Sequence, residues 1–178
     1  MSGLLSYIKK AKASKNVDVT AWGKFCLTDL FIISGSKTTK KSVLEKSGEG
    51  QYPYVTTQAT NNGIFGYYAL KTEQGHCLTI DSAVLGSCFY QADDFSASDH
   101  VEILRPKFKM SKNIALFLTT IINRTGAIIG YSYIKKRSQK ALAKEFIYLP
   151  VTKDGKPDWQ YMEKFIAKIY KDINSQLL

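Results

Sequence analysis

Few residues in this chain are equipped for chemistry. Only His76 and His100 are histidines among 178 residues, and the three cysteines, Cys26, Cys77 and Cys88, include no CxxC pair. An odd set of thiols argues against a disulfide framework, and His76-Cys77 with Cys88 lacks the ligand spacing of a closed zinc site. No metal site is expected. Ser87 has no G-x-S-x-G frame around it, no GxGxxG follows a strand pattern, and there is no Walker A lysine. Asp93, Asp94, Asp99 and Glu102 gather in one stretch, as a Mg²⁺-dependent nuclease would need, but no lysine follows in the acid-x-Lys arrangement. No catalytic residue is assigned. A small Mg²⁺-dependent nuclease stays as the enzymatic alternative.

Long apolar runs are also missing. The longest, Ile114 to Ile122, contains two threonines and stops at Asn123-Arg124, about half of the ~20 residues a spanning helix needs. The N-terminus is basic and amphipathic, without the apolar core or cleavage site of a secretory signal. With unpaired thiols, this sets the expectation of a reducing, cytoplasmic setting and no membrane partner. Hydrophobic residues make up 44 % of the chain, enough for one self-sufficient core.

Acid is absent where base is densest. Residues 101–150 hold ten Lys or Arg against Glu102 and Glu145, a net +8, and no acid occurs from Ile103 to Lys144. Residues 1–50 hold nine Lys against four acids (+5), whereas residues 51–100 hold one Lys against five acids (−4). Such one-signed blocks create a field that attracts polyanions, and the total charge of +10 points the same way.

The pattern along the chain is α+β, a mixed, β-rich domain with one core helix and a helix at either end. Leu4, Leu5, Ile8 and Ala11 recur at helical spacing, giving an N-terminal helix within residues 1–16. The central domain spans 17–152. Phe25–Ile33 reads as strand or strand–turn, and Thr38–Gly50 as an exposed loop. Short β-prone runs follow at Tyr52–Thr57, Ile64–Leu70, Cys77–Ile80, Ser87–Gln91 and Val101–Leu104, with a turn at Asn61-Asn62-Gly63. Asn113–Ile122 is a buried helix, and Ala127–Ile134 and Phe146–Leu149 are two more strands. In the last segment, 153–178, Pro157 and Asp158 suit a helix start. Trp159, Met162, Ile166, Ile169, Ile173 and Leu177 then form a coiled-coil-like seam. That seam serves either its own domain or a partner's helix, and could pair with the N-terminal helix as a short coiled coil.

Two stretches mix cations with short hydrogen-bonding side chains. Lys37, Thr38, Lys40 and Lys41 follow a flexible Ser-Gly-Ser. Tyr133, Lys135, Lys136, Arg137, Ser138, Gln139 and Lys140 form the second. Lysine and arginine neutralise phosphates, whereas hydroxyls, amides and arginine also reach base edges. An uncharged polar group, Thr57, Gln58, Asn61 and Asn62, suits base reading. Together these imply duplex DNA, with RNA as a competitor, since Tyr52, Tyr54, Tyr67 and Tyr68 offer stacking surfaces.

Several local patterns then coincide. Trp22-x-x-Phe25-x-Leu27-x-Asp29-Leu30-Phe31-x-Ile33-x-Gly35 opens the domain. Gln51-Tyr52-Pro53-Tyr54-Val55-Thr56, Asn61-Asn62-Gly63-Ile64, Gly66-Tyr67, Leu78-Thr79-Ile80-Asp81, Gly86, Tyr90-Gln91 and Asp94-Phe95 continue it. Phe146-Ile147-Tyr148-Leu149-Pro150 and Gly155-x-Pro157-Asp158-Trp159-x-x-Met162-Glu163 close it. In order and spacing this resembles a target recognition domain from the specificity subunit of type I and related BcgI-like restriction–modification systems. The resemblance implies sequence-specific duplex DNA recognition without catalysis, directing a methyltransferase, and in some systems a restriction subunit, to half of a gapped site. No cofactor is expected on this chain; S-adenosylmethionine belongs to the methyltransferase. One recognition domain in place of two resembles a half-subunit or an excised domain, and implies a homodimer through the terminal helices. A methyltransferase-binding module without sequence reading is the other alternative. By the same resemblance Trp22, Phe25, Leu30, Ile64, Phe95, Leu149 and Trp159 belong to the core.

Overall fold

The computed structural model describes residues 19–175. The expected helix within 1–16 and Leu177 at the end of the seam lie outside the described residues. The fold is mixed α+β. In chain order the elements are β1 (Gly23–Cys26), α1 (Leu27–Leu30), β2 (Phe31–Gly35), α2 (Lys41–Ser47), β3 (Glu49–Val55), a 3₁₀ turn (Asn61–Gly63), β4 (Ile64–Tyr68), β5 (Cys77–Asp81), β6 (Cys88–Gln91), β7 (Ser96–Ala97), β8 (Val101–Pro106), α3 (Lys112–Ile129), α4 (Gln139–Leu142), β9 (Phe146–Leu149) and α5 (Trp159–Asn174).

A four-stranded antiparallel sheet in the order β2-β8-β5-β6 forms the middle layer. Side chains alternate across a pleat, so its two faces feed two cores. Leu78, Ile80, Leu104, Cys88 and Tyr90 face α3 and join Leu118 and Ile122 in the larger core. Cys77, Val101 and Ile103 face the other way and meet Val55, Phe95 and Ala97. Those three come from or beside a three-stranded sheet, β4-β3-β7, in which β3 and β7 run parallel. A third pair, β1 with β9, closes the base of the helical layer.

Ser111 starts α3 by accepting a hydrogen bond on its hydroxyl from the Ile114 N–H (3.2 Å). Ile114, Phe117, Leu118 and Ile122 then fall on one buried stripe. The helix runs past Ile122 to Ile129, so Ala127–Ile134 is not a strand. β-branched residues tolerate a helix when packing continues, and the first residue to end it is Gly130, in left-handed backbone (φ +73°). Two other expectations change similarly. Phe25–Ile33 is not one strand, because Leu27–Leu30 makes a helical turn, with the Asp29 carboxylate accepting from the Cys26 N–H (3.2 Å). The expected loop Thr38–Gly50 contains α2, whose Leu44 is fully buried.

The C-terminal helix begins at its Asp158 cap, which accepts from the Tyr161 N–H (2.9 Å), so Pro157 stands just before the helix. Met162 is buried completely, Trp159 stacks on Phe108 (3.9 Å between centroids), and Phe165 meets Phe117 edge-on (5.6 Å). The Glu163 carboxylate accepts from Ser111 and Asn113 at the start of α3. Burying each large apolar side chain contributes about 1.5–3 kcal/mol, so the first two turns of α5 are committed to their own domain. Of the expected coiled-coil seam, only the later residues face outward, with Ile169 42 % and Ile173 44 % exposed. Among the described residues no helix is long and apolar enough to cross a membrane.

Candidate nucleic-acid interface

The segment from Gly130 to Leu142 crosses one end of the four-stranded sheet. At one side it touches the β5–β6 turn, where a Cβ on Gly86 would come within 2.9 Å of Arg137. At the other it reaches the end of β2, where a Cβ on Gly35 would lie 3.1 Å from the Gln139 side-chain nitrogen. Lys37 follows two residues after Gly35. From there the chain turns away from the sheet end: the Lys37 N–H donates to Glu73 Oε1 (2.6 Å) and the Thr39 N–H to the Ala97 carbonyl (2.8 Å), which carries Lys40 and Lys41 toward the three-stranded sheet.

Within this segment the Arg137 side chain turns into the protein. It is fully buried and ion-paired with buried Glu145. Arg137 Nε donates to Glu145 Oε2 (3.1 Å), Nη1 to the Gly86 carbonyl (2.6 Å), and Nη2 to both the Ile122 carbonyl (2.8 Å) and Glu145 Oε1. Tyr131 Oη donates to the same carboxylate (3.0 Å), and burial, with the Glu145 charge second, pushes the Tyr131 phenol up to about 12. Space for the guanidinium comes from two glycines. A Cβ on Gly126 would stand 2.7 Å from Arg137 Nη1, and Gly86 has a φ of +72° as well as its close approach. The sequence cue was available: Glu145 is the acid that ends the acid-free run, eight residues after Arg137.

The remaining cations divide. Lys37, Lys40, Lys136 and Lys140 are exposed. Lys41 is paired with Glu45 (3.4 Å) and lies over the Phe65 ring. Lys135 Nζ donates to the Ile129 carbonyl (2.6 Å), where a cation complements the negative end of α3. Tyr133 is exposed, as is Gln139, and Ser138 occupies the cap position of α4 without a side-chain cap bond. Thr38 bridges Ala97 through its backbone.

The uncharged group sits elsewhere and is less free than its composition implies. It packs on β6, the edge strand opposite β2. Asn62 Nδ2 donates to the Tyr90 carbonyl (3.0 Å) and to Gln91 Oε1 (3.3 Å). Gln58 Nε2 donates to the carbonyls of Thr60 (3.1 Å) and Ile64 (2.7 Å). Reading adenine with an amide needs one free donor, and both donors of each are occupied. Gln58 and Asn62 thus use their amide donors to build the turn, which leaves their side-chain oxygens as the groups for a base. Asn61 keeps one donor after bonding the Ile64 carbonyl (2.9 Å). Asn61 and Asn62 also supply the left-handed backbone of the turn (φ +51° and +55°), and Thr57 is half-buried beside it.

The clustered acids do not converge. Asp94 pairs with Lys71 (2.6 Å) and accepts from the Gly75 N–H, which together hold its carboxyl below the usual range. Asp99 lies beside His100, and Glu102 is buried in β8. Among the described residues no group of three or more His, Cys, Asp or Glu could hold a metal ion. Asp81 instead builds a turn: its carboxylate accepts from the backbone N–H groups of Ala83, Val84, Leu85 and Gly86 (2.8–3.3 Å), fixing the β5–β6 connection beside Arg137.

Comparison with known proteins agrees with this architecture. Residues 20–178 match the family model of the type I restriction modification DNA specificity domain. The specificity subunit S.BcgI of a type II restriction enzyme from Heyndrickxia coagulans is 29 % identical over 157 residues, covering 85 % of this chain and 45 % of that protein. Among solved structures, the type I S subunit from M. genitalium superposes with a TM-score of 0.59 at 15 % identity, over 97 % of this chain and 43 % of that one. The HsdS subunit from Thermoanaerobacter tengcongensis gives 0.57 at 14 %, over 97 % and 44 %. The chain therefore spans less than half the length of these relatives. It belongs to the family of type I restriction–modification DNA specificity domains.

Proposed function

We propose that this chain reads the base sequence of duplex DNA at half of a gapped site and performs no catalysis itself. A methyltransferase, carrying S-adenosylmethionine, acts where the chain directs it, and a restriction subunit joins the same complex. The observation that carries this reading is the cationic end of the sheet. Lys136 and Lys140 are exposed there, while Glu145, the next acid along the chain, is buried and neutralised by Arg137. Lysines so placed set the register on the phosphates and raise the local DNA concentration.

The test is selection from randomised duplex DNA at moderate salt, with the bound fraction sequenced. Enrichment of a short motif is expected. Retention that is insensitive to salt and shows no motif would overturn the proposal. Lys136→Ala with Lys140→Ala should weaken binding to every sequence and flatten the salt slope by about two units, at ~0.9 per phosphate contact.

Pairing of two copies is the second part of the reading. An open apolar groove lies between α3 and α5, lined by Trp22, Phe117, Ile121, Phe165, Ile166 and Ile169. Ile173, one turn beyond Ile169, extends its apolar character along α5. We infer that a second copy covers this face, generating a two-fold dimer and a symmetric gapped site in a cytoplasmic complex. Sedimentation equilibrium at micromolar concentration should show a dimer; a strict monomer, alone and with methyltransferase, would overturn the pairing.

A further inference from the structure

We propose that Tyr133 and Ile134 make an apolar contact with the bases of duplex DNA, and that Ile134 is a specificity-determining residue. This rests on the DNA-reading function above and adds the chemistry of one contact to it. The two residues form the tip of a tight loop. Ser132 N–H donates to the Lys135 carbonyl (3.0 Å), and Lys135 N–H donates back to the Ser132 hydroxyl (3.2 Å). Ile134 is 96 % exposed and Tyr133 75 % exposed.

Nothing in the fold requires apolar residues at this tip. Neither has the left-handed backbone that restricts residue choice at the Asn61-Asn62 turn, and polar residues normally fill such positions. Tyr133 and Ile134 are also absent from both hydrophobic cores. Side by side, the two put an apolar surface at the tip of the loop, open to a partner.

The base of the loop is as rigid as the tip is bare. Arg137 holds its end through Glu145, Gly86 and Ile122. Lys135 ties the near side to the end of α3. A contact presented on such an anchored loop loses little conformational entropy on binding.

Charge selects duplex DNA over a protein partner as the covering surface. The Lys136 ammonium lies 5.6 Å from the Tyr133 ring centre, and no acid occurs in the sequence from Ile103 to Lys144. An apolar tip between cations suits a duplex, where phosphates flank an apolar target. That target is a thymine methyl group in the major groove or a base step opened by a wedge.

The experiment is the same selection from randomised duplex, performed on the full chain alone and with its methyltransferase. Three proteins are compared: unsubstituted, Tyr133→Ser/Ile134→Ser, and Lys136→Ala/Lys140→Ala. The serine variant should melt at an unchanged temperature and keep its salt slope, while losing base preference at one or two adjacent positions, by roughly 10-fold or more. The alanine variant should keep the motif and lose affinity for all sequences. Thymine-to-uracil replacement at the affected position reproduces the loss if a methyl group is read. Brightening of 2-aminopurine there, without a uracil effect, identifies an opened step. A serine variant that retains the whole motif overturns the inference, as does one that only stops co-purifying with the methyltransferase. A motif absent even from the unsubstituted chain would instead defeat the DNA-reading function itself.

Discussion

Replacing Arg137 with methionine separates two physical roles that a basic segment can hide. As a phosphate contact, the residue would be dispensable for folding, and its loss would flatten the salt slope of DNA binding by about 0.9. In the structure its side chain is fully buried with Glu145, and methionine would leave that carboxylate buried without its counter-charge. Breaking a buried pair from one side costs about 3–5 kcal/mol. Domains are typically stable by only about 5–15 kcal/mol. At about 2–4 °C per kcal/mol for a chain of this size, the melting temperature should fall by roughly 6–20 °C, with the salt slope unchanged. Circular dichroism melts and urea titrations measure the first quantity, and binding across a salt series the second. Glu145→Gln should cost a similar amount. The Arg137→Met/Glu145→Gln double variant should cost less than the sum of the two, because it removes both charges together. A single Arg137→Met that loses under about 1 kcal/mol and flattens the slope would refute the buried-clamp reasoning and restore Arg137 to the DNA surface.

Two further outcomes follow from buried ionisable groups. Burial raises the Glu102 carboxyl above its ordinary range, with Ser82 and Gln139 opposing the shift. Its ionised form therefore costs stability at neutral pH, and the cost disappears as pH falls through the raised value, where the group is protonated when folded. Glu102→Gln should accordingly melt higher than the unsubstituted chain at pH 7 and converge with it toward the ordinary glutamate range; a lower melting temperature at pH 7 would contradict this. Burial also pushes the Cys77 and Cys88 thiols up to about 12, so both should resist iodoacetamide at pH 8 until the protein unfolds. Peptide mapping that finds either alkylated in the native protein would contradict their placement.

Periodicity and turn chemistry made much of this protein legible from its residues. The strands at Cys77, Cys88 and Val101, the Asn-Asn-Gly turn and the Asp158-started helix are local signals, set by side-chain alternation and backbone preference, and the structure has them. The order of short motifs carried the family. Tertiary structure decided what each polar residue does. A run such as Lys135-Lys136-Arg137 looks uniform in sequence, yet Lys135 meets a helix end, Lys136 stays in solvent, and Arg137 enters a slot made by Gly86 and Gly126. Those glycines are 51 and 11 residues away, beyond the reach of any local pattern. The same limit applies to Gln58 and Asn62, whose donors are consumed by carbonyls that only folding brings near. It applies also to Ile128 and Ile129, which continue a helix because Gly130, and not β propensity, ends it. Composition determined that this chain would attract a polyanion. Burial and hydrogen bonding decided which of its cations remain free to meet one, because a charge taken out of water must find its partner inside the protein.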